Sequence, residues 1–342
     1  MHTEVEMNNT GLLSVDVCIP THQPGRIFSE LLKRLDAQSM QPAHVRIINT
    51  DENGWDPQFE SDYPGLIVEH ITKEEFDHGG TRHRMARASD ADLLLFMTQD
   101  ALPADRRLVE NLAEQFTNSG RTVSEPAGNP EKGENDSVRI GAAYARQLPR
   151  IDCSALEKYT RTFNYAKESR IKTREDLGTL GIKTFFCSNV CAMYDRKIYL
   201  EQGGFPHNTI FNEDMIFARS LIDAGYGIAY AADARVVHSH NYTGKQQFHR
   251  NFDLAVSQAQ HPEVFGDVPS EGEGIRMVRR VAGQVCKAGR PWLVFPLVWQ
   301  SGCKYLGYLL GKRYRRLPVK LVKRFSQNKS FWEGNNGKGD KQ

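Results

Sequence analysis

The chain has 342 residues, and its 44 lysines and arginines nearly balance its 42 aspartates and glutamates. This length allows one large domain or two modest ones, and the balanced charge gives no general attraction to nucleic acid, so we expect no nucleic-acid partner. The six cysteines form no C-x-x-C pair, which argues against a zinc knuckle and for reduced thiols. Residues 1–13 carry two acids and no apolar run, so we interpret them as the flexible terminus of a cytoplasmic protein rather than as a secretory signal.

The amino-terminal part of the chain alternates between strand and helix patterns. Residues 15–20 are an apolar run rich in β-branched side chains, which predicts a strand, and a helical stripe follows at Phe28, Leu31, Leu32 and Leu35. Residues 82–91 predict a second helix, and further strands are predicted at 44–50, 65–71 and 92–97. This alternation predicts an α/β protein with a doubly wound, largely parallel sheet.

Polar residues follow three of these strands. Pro20 with Thr21, Asp51 and Asp100 all lie at the carboxyl ends of predicted strands, where ligands bind in doubly wound sheets. An aspartate at a strand end is also a common turn residue, because its side chain bonds its own backbone. Three strands that bring polar groups to one edge favour a binding site over the turn interpretation of Asp100.

The middle of the chain is less regular. Residues 117–137 have no apolar periodicity and are rich in Gly, Pro, Ser and Asn, so we interpret them as a loop insertion. The strand pattern resumes at 139–148. Residues 150–181 are polar and predict helical structure, and residues 177–194 lead into another buried strand.

The last part of the sheet pattern predicts a helix followed by a strand. Asn212 is a favourable N-cap, so the helix begins at Glu213 and Asp214. Acids in the first turn of a helix complement its dipole, which explains them without any further function. A histidine near a carboxylate is typical of metal sites, although a single one is more often only hydrogen-bonded. The strand ends in two such residues, His238 and His240.

Four motifs, in the same order along the chain, resemble the inverting glycosyltransferases of family 2, which have the GT-A fold. They are VDVCIPTHQPG at 15–25, INTDENG at 48–54, the stretch from HGGTR to TQDALPAD at 78–105, and GGFPHNTIFNEDM at 203–215. The resemblance covers residues 14–241. It implies a Rossmann-like, doubly wound mixed sheet and a nucleotide-sugar glycosyltransferase domain at 14–245.

Several segments are most similar to the bacterial rhamnosyltransferases that build surface polysaccharides. These segments are HGGTR, MTQDA, FFCSNVCAMY, FNEDMIFA and HSHNYT. The similarity implies inverting transfer of L-rhamnose from dTDP-rhamnose to a hydroxyl of a glycan or lipid-linked glycan. A UDP-sugar donor stays open as an alternative, because the base and the sugar are recognised by the shape of the pocket and not by a sequence motif.

The resemblance also assigns contacts with the nucleotide sugar. Asp51 matches the residue that accepts a hydrogen bond from the base, and Arg82 matches one that offers a guanidinium fork to phosphate oxygens. The two glycines let the chain pass close to the donor. The matching positions are Pro20, Thr21, Asp51, Gly79, Gly80, Arg82, Gln99 and Asp100.

The metal-binding motif of the family departs from its usual form in this chain. Its D-x-D triplet is Thr98-Gln99-Asp100, so the first carboxylate is missing. A divalent cation, Mg²⁺ or Mn²⁺, neutralises charge on the leaving diphosphate, and hard cations accept oxygen ligands and water. The resemblance therefore implies that Asp100, together with His238, holds the cation weakly or optionally.

The acidic pair of the family matches Glu213 and Asp214. The resemblance implies that Asp214 deprotonates the acceptor hydroxyl, that Glu213 shapes its environment, and that no covalent intermediate forms. A sugar-phosphate nucleotidyltransferase is a rival interpretation with a related fold, but there the loop that HGGTR resembles directly follows the first strand. A non-catalytic nucleotide-binding membrane scaffold is the other, if Asp100 and Asp214 have no function.

The carboxyl-terminal part has a different pattern. Residues 246–332 predict a helical, amphipathic region, and 333–342 a disordered tail. Aromatic residues lie beside a basic run that has no acid between Lys312 and Lys329, and polar interruptions leave no spanning helix of about 20 apolar residues. The pattern predicts peripheral binding to the anionic cytoplasmic face of the inner membrane. The alternative is a helical hairpin packed on the catalytic domain with a solvated basic face.

Overall fold

The computed structural model describes residues 13–117, 138–268 and 271–333. The flexible terminus, the loop insertion and the disordered tail expected from the sequence lie outside the described residues, apart from their outermost positions, and stay predictions. The side chains of 271–273 are likewise not described.

The described residues form one mixed sheet of nine strands. Its order is β3-β2-β1-β4-β8-β6-β9-β5, and β7 pairs with β9 outside this path. The strands are β1 (Val15–His22), β2 (His44–Thr50), β3 (Leu66–Ile71), β4 (Leu93–Met97), β5 (Leu102–Pro103), β6 (Ile140–Leu148), β7 (Arg170–Lys172), β8 (Cys191–Asp195) and β9 (Gly227–Val237).

Strand direction divides the sheet into two parts. Strands β1 to β4 are mutually parallel, as the sequence predicts, and β6 runs parallel to β9. Strand β8 is antiparallel to both of its neighbours, and β5 and β7 are antiparallel to β9. The sheet is therefore mixed, and its parallel part carries the first three polar strand ends.

Helices cover both faces of the sheet and continue beyond it. They are α1 (Arg26–Asp36), α2 (Gln58–Asp62), α3 (His78–Arg87), α4 (Leu108–Thr117), α5 (Ala155–Asn164), α6 (Leu177–Leu180), α7 (Arg196–Glu201), α8 (Glu213–Asp223), α9 (Gly244–Gln260), α10 (Pro262–Phe265), α11 (Glu271–Lys287), α12 (Val294–Lys312) and α13 (Val319–Phe325). The stripe predicted for α1 is the buried face of that helix. The predicted domain boundary at residue 245 falls in the first turn of α9 and stays a prediction.

Three local predictions differ from the structure. Helix α3 begins four residues before the predicted start, because the Asp77 side chain accepts a hydrogen bond from the Gly80 N–H and caps it. The segment 150–181 is not helical throughout, since β7 pairs with the edge of β9. Helix α8 begins at Glu213 as predicted, but Asn212 is left-handed and its amide donates to the Leu254 carbonyl instead of capping the helix.

The carboxyl-terminal helices pack on the sheet domain and on each other. Helix α12 lies against α9, where Gly307 and Gly311 meet the backbone carbonyls of Phe248 and Phe252. Side chains of α5, α11 and α12 share a second small core of Leu156, Val281, Val285 and Leu297. Over the described ranges, no helix has the length and apolar character needed to cross a membrane.

The contact between α9 and α12 predicts opposite effects for two glycines of one helix. A Cβ at Gly311 would overlap the Phe252 carbonyl oxygen, whereas a Cβ at Gly302 would have no neighbour within 4 Å. We expect Gly311→Ala to destabilise the fold by about 1–3 kcal/mol through overpacking. Gly302→Ala should gain up to about 1 kcal/mol of helix propensity. Thermal unfolding of both variants checks this, and equal midpoints would contradict the close packing.

Candidate active site

Three predicted polar strand ends lie at one edge of the sheet. Strands β2, β1 and β4 are adjacent and parallel, so their carboxyl ends meet there, as the sequence predicts. Thr21 is buried after Pro20 in β1, and its hydroxyl donates to the Asn49 side chain at 3.0 Å. Asp51 has a φ of 70° and a carboxylate 3.3 Å from Lys73 Nζ. The hydrogen bond with Lys73 lowers the pKa of Asp51, which keeps it an acceptor.

The paired glycines lie in the first turn of α3. A Cβ at Gly79 would overlap the Pro206 carbonyl oxygen, and a Cβ at Gly80 would meet Asp77 and His207. The glycines therefore permit close packing of α3 against the loop before α8. That differs from the reason inferred from the sequence, a close approach to the donor, and the donor contacts themselves stay predictions.

Arg82 projects from α3 to the start of α8. It is 5% exposed, its Nη1 donates to the His78 carbonyl at 2.8 Å, and the same atom lies 3.3 Å from Glu213 Oε1. Its Nε is buried without a hydrogen-bond partner among the described residues. Arg82 is thus paired with the acidic motif, and its predicted phosphate contact requires it to share its charge between Glu213 and the donor.

Gln99 and Thr98 occupy the first two positions of the altered triplet. Gln99 Oε1 accepts the His22 N–H at 2.8 Å and its Nε2 donates to the His22 carbonyl at 3.1 Å. Gln99 therefore fixes the end of β4 to the end of β1. The Thr98 hydroxyl is buried, with no hydrogen-bond partner in the part of the chain that the structure describes.

Asp100 faces two histidines that follow β9. His238 Nε2 lies 3.6 Å from one carboxylate oxygen and His240 Nε2 lies 3.5 Å from the other. All three ligand atoms lie within 4.8 Å of one another. Burial lowers the pKa of His238 to about 3, so its imidazole is neutral and offers a lone pair. The donor set of one carboxylate and two imidazoles fits a divalent cation.

The structure adds one candidate ligand, His240, to the predicted metal site. The sequence assigned Asp100 and His238, and both are in the group. His240 was noted at the strand end but not assigned, and the H-x-H spacing was the signal for it. His238 and His240 are two residues apart and lie just beyond β9. Both imidazole rings reach the Asp100 carboxylate, and the ring centroids are 4.6 Å apart.

The acidic pair at the start of α8 is tied to the segment before β8. Asp214 Oδ2 accepts the backbone N–H of Asn189 at 3.1 Å, and its Oδ1 accepts the N–H of Met215 at 2.8 Å. The Asn189 side-chain amide donates to Glu213 at 3.3 Å. Asn189 thus fixes both carboxylates. Sequence reasoning missed it, because no local pattern links it to α8.

The two carboxyls have opposite pKa shifts. Burial and the neighbouring charge of Glu213 raise the pKa of Asp214 to about 7. Burial also opposes ionisation of Glu213, but Arg82 and His78, together with hydrogen bonds from its own backbone N–H and from Asn189, hold the pKa of Glu213 below its usual value. Neighbouring acids whose pKa values are driven apart are typical of catalytic acid and base pairs.

A cation from α9 also borders the site. The Arg250 guanidinium lies 4.7 Å from the Phe211 ring and 5.8 Å from the Tyr242 ring, and Tyr242 lies 5.0 Å from the His240 ring. Arg250 therefore lies between the start of α8 and the candidate metal group, which consists of Asp100, His238 and His240. Stacking uses the face of a guanidinium and leaves its N–H edge for anions. Arg250 lies beyond the recognised motifs, so sequence reasoning missed it.

Comparison with known proteins identifies the family. Residues 16–203 match the model of glycosyl transferase family 2. The chain belongs to this family. Family membership and the mixed sheet confirm the expected GT-A fold, and the enzyme is a glycosyltransferase. The rival interpretations as a nucleotidyltransferase or a non-catalytic scaffold are thereby displaced.

Relatives of this glycosyltransferase match nearly its whole length. The O-antigen chain rhamnosyltransferase RfbN of Salmonella typhimurium strain LT2 is 35% identical over 322 residues, 94% of this chain and 96% of its own. WbaN of Salmonella anatum, of the same description, is 36% identical over 93% of this chain and 96% of its own. Among solved structures, the mannosyltransferase PcManGT from Pyrobaculum calidifontis, in complex with GDP-Man and Mn²⁺, has a TM-score of 0.49 at 15% identity. The match covers 94% of this chain and 85% of that one.

The metal group predicts a selective effect of Asp100→Asn. Asp100 is the carboxylate that both histidines face. Loss of a residue that only hydrogen-bonds to a metal ligand already costs about tenfold in affinity. Loss of Asp100 itself should therefore weaken Mn²⁺ binding at least about tenfold. Calorimetric titration of the free enzyme with Mn²⁺ measures this. Asp51→Asn is the matched control on the same sheet edge and should bind Mn²⁺ like the wild type. Unchanged affinity in Asp100→Asn would return Asp100 to the role of a turn residue.

Proposed function

We propose that this glycosyltransferase transfers L-rhamnose from dTDP-rhamnose, with inversion, to a hydroxyl of a glycan or lipid-linked glycan in O-antigen synthesis. The full-length similarity to two O-antigen chain rhamnosyltransferases supports the sugar and the pathway. The observation that carries the reaction type is the partly buried carboxyl of Asp214, whose raised pKa suits a base at neutral pH. A UDP-sugar donor is the alternative, since Asp51 would accept the N3–H of either uracil or thymine.

Asp214 is the proposed general base. In this role it takes the proton of the acceptor hydroxyl as that oxygen attacks the anomeric carbon, so no enzyme nucleophile is needed. Two backbone N–H groups orient its carboxylate. Glu213, held ionised by Arg82, keeps the pKa of Asp214 high, which makes Asp214 a stronger base than an ordinary aspartate.

Asp100, His238 and His240 are the proposed ligands of a divalent cation, Mg²⁺ or Mn²⁺. When bound, such a cation supplies Lewis-acid stabilisation of the leaving diphosphate. Two imidazole nitrogens in the donor set favour Mn²⁺ over Mg²⁺, which prefers oxygen ligands. Arg250 provides further positive charge near this group, and Arg82 provides positive charge at Glu213. Both would bind phosphate oxygens through their N–H edges.

The decisive test of the base is Asp214→Asn. The substitution keeps the shape of the side chain but removes the proton acceptor, so turnover should fall about 10²–10⁴-fold. Donor affinity should hardly change, because the base contacts the acceptor. In the wild type, kcat/KM should fall as pH drops below about 7, since Asp214 becomes protonated. Transfer assays at saturating acceptor, with calorimetry for the donor, measure both.

A carboxylate of the same helix provides the control for that test. Asp223 lies at the end of α8, where its contact is an ion pair with Arg219 at 2.9 Å. Asp223→Asn should keep wild-type turnover and pH dependence. Loss of donor affinity in Asp214→Asn would assign that residue to the donor or metal instead, and full turnover would place the base elsewhere.

We also propose that the enzyme binds peripherally to an anionic membrane surface, the cytoplasmic face of the inner membrane, through one face of α12. Large apolar side chains on and just before this helix are exposed at Trp292, Phe295, Val298, Trp299, Tyr305 and Leu306. Their spacing places them on one side, while Leu297, Gly307 and Gly311 face the protein. Such an exposed apolar stripe beside a basic segment is typical of interfacial helices.

The position of this face supports a lipid-linked acceptor. Trp299 packs on Gly244 at the start of α9, close in sequence to Tyr242 and to the ligand His240. One residue of the membrane-facing side of α12 therefore contacts the chain four residues after His240. Docking along this face would bring the head group of a lipid-linked glycan to the site.

Vesicle binding tests the face directly. Trp292 and Phe295 are 66% and 79% exposed, so Trp292→Ser with Phe295→Ser should leave the fold intact. The double variant should bind anionic phospholipid vesicles at least about tenfold more weakly, because each buried aromatic contributes about 1.5–3 kcal/mol. Ile151→Ser, at a fully exposed residue outside α12, is the control. Salt should weaken wild-type binding through screening. Equal vesicle binding by the double variant would contradict this face.

A further inference from the structure

Gln147 connects the proposed metal ligand His238 to Arg161, a partly buried arginine of α5. Gln147 lies in β6 and is 3% exposed. Its Oε1 lies 3.2 Å from His238 Nδ1, and the same oxygen accepts a hydrogen bond from Arg161 Nη1. Its Nε2 donates to the Ser188 hydroxyl at 3.1 Å. Gln147 therefore contacts three side chains from three different parts of the chain.

The arginine determines which way the amide of Gln147 points. A guanidinium can only donate hydrogen bonds, so the amide atom that faces Arg161 must be the carbonyl oxygen. Arg161 is itself held by Glu157, whose carboxylate accepts its Nε at 3.0 Å. The oxygen that faces Arg161 also faces His238, so the Nδ1 of His238 must carry the hydrogen.

This hydrogen bond determines which nitrogen of a neutral His238 carries the lone pair. A neutral imidazole has one N–H, so with the hydrogen on Nδ1 the lone pair is on Nε2. Nε2 is the atom that faces Asp100 Oδ1 at 3.6 Å. A lone pair and a carboxylate oxygen then face each other with no hydrogen between them, and a cation placed between them would satisfy both.

The backbone holds the two residues in place. Strands β6 and β9 are parallel, with Gln147 paired to Val236, and the His238 N–H donates to the Leu148 carbonyl at 2.9 Å. His240 differs, because no hydrogen bond of this kind reaches its ring within the described ranges. Its tautomer is therefore not fixed in the same way, which makes it an internal reference for His238.

We propose that Gln147, oriented by Arg161, is a positioning residue that fixes His238 as its Nδ1–H tautomer and presents Nε2 as a cation ligand beside Asp100. The inference rests on the proposed metal site but concerns residues that the family motifs do not include. Hydrogen bonds of this type to a metal-ligating histidine set its tautomer and ring orientation.

The first measurement does not depend on metal or activity. In metal-free enzyme labelled with ¹⁵N-histidine, His238 should show a protonated Nδ1 and an unprotonated Nε2, with its signals assigned by their loss in His238→Ala. Gln147→Leu removes the acceptor and should release this tautomer preference. Gln147→Glu keeps an oxygen toward both Arg161 and His238 and should preserve it. A protonated Nε2 in the wild type would overturn the proposal.

The second measurement is Mn²⁺ affinity by calorimetry. Gln147→Leu should bind Mn²⁺ about 10–100-fold more weakly, the usual cost of losing such a partner. Gln147→Glu should stay close to the wild type. Gln38→Leu removes another buried glutamine, one whose Nε2 donates to the backbone carbonyls of Arg34 in α1 and Asp105 after β5, and controls for general destabilisation.

The two measurements separate this inference from the function on which it rests. If the wild type fails to bind Mn²⁺, the proposed metal site is wrong, while the tautomer of His238 in metal-free enzyme still tests Gln147. If Mn²⁺ binds and Gln147→Leu changes neither the tautomer nor the affinity, the positioning role is wrong and the metal site stands. An effect of equal size in Gln38→Leu would also overturn the role of Gln147.

Discussion

Two neighbouring carboxyls, Glu213 and Asp214, lie at the start of α8, and the surrounding structure depends on how their charge is compensated. A buried charge is costly unless it is paired and hydrogen-bonded. Arg82 reaches Glu213 from α3, and Asn189 bonds both acids from the segment before β8. Three separate parts of the chain are therefore held together at this point. The same compensation leaves one carboxyl ionised and raises the pKa of the other.

The pairing of Arg82 also explains the glycines beside it. For its guanidinium to reach α8, helix α3 must approach the loop before α8 so closely that Gly79 meets the Pro206 carbonyl. The glycine motif is thus a packing requirement of the pairing between Arg82 and Glu213. Any contact of this region with a donor phosphate is made by a cation that already has a carboxylate partner, which limits how tightly it binds the phosphate.

The metal group has an analogous balance of charge. With Thr98 in place of an aspartate, Asp100 is the carboxylate of the candidate group, and the other two members are imidazoles. The group therefore carries less negative charge than a pair of carboxylates would. Positive charge from Arg250 enters from α9, outside the recognised motifs. The carboxyl-terminal helices thus contribute to the site itself, in addition to packing on the sheet domain.

The sequence alone determined the features that depend on neighbouring residues. Apolar runs predicted strands β1 to β4, the stripe of α1 predicted its buried face, and the start of α8 was predicted at Glu213. Asp100 was recognised because it ends a strand, and the order of the motifs identified the family. Each of these signals lies within a short window, where side-chain periodicity and backbone preference act directly.

Only the tertiary structure decided which distant residues complete the site. No local pattern assigned a role to Asn189, Arg250 or Gln147. Strands and helices far apart in sequence bring them to Asp214, to Tyr242 beside His240, and to His238. The strand β7 was missed for the same reason, since the edge of β9 supplies its partner. The sequence fixes which side chains can donate, accept or ionise. Their hydrogen bonds and pKa values depend on burial and on neighbours that exist only once the sheet and helices have packed.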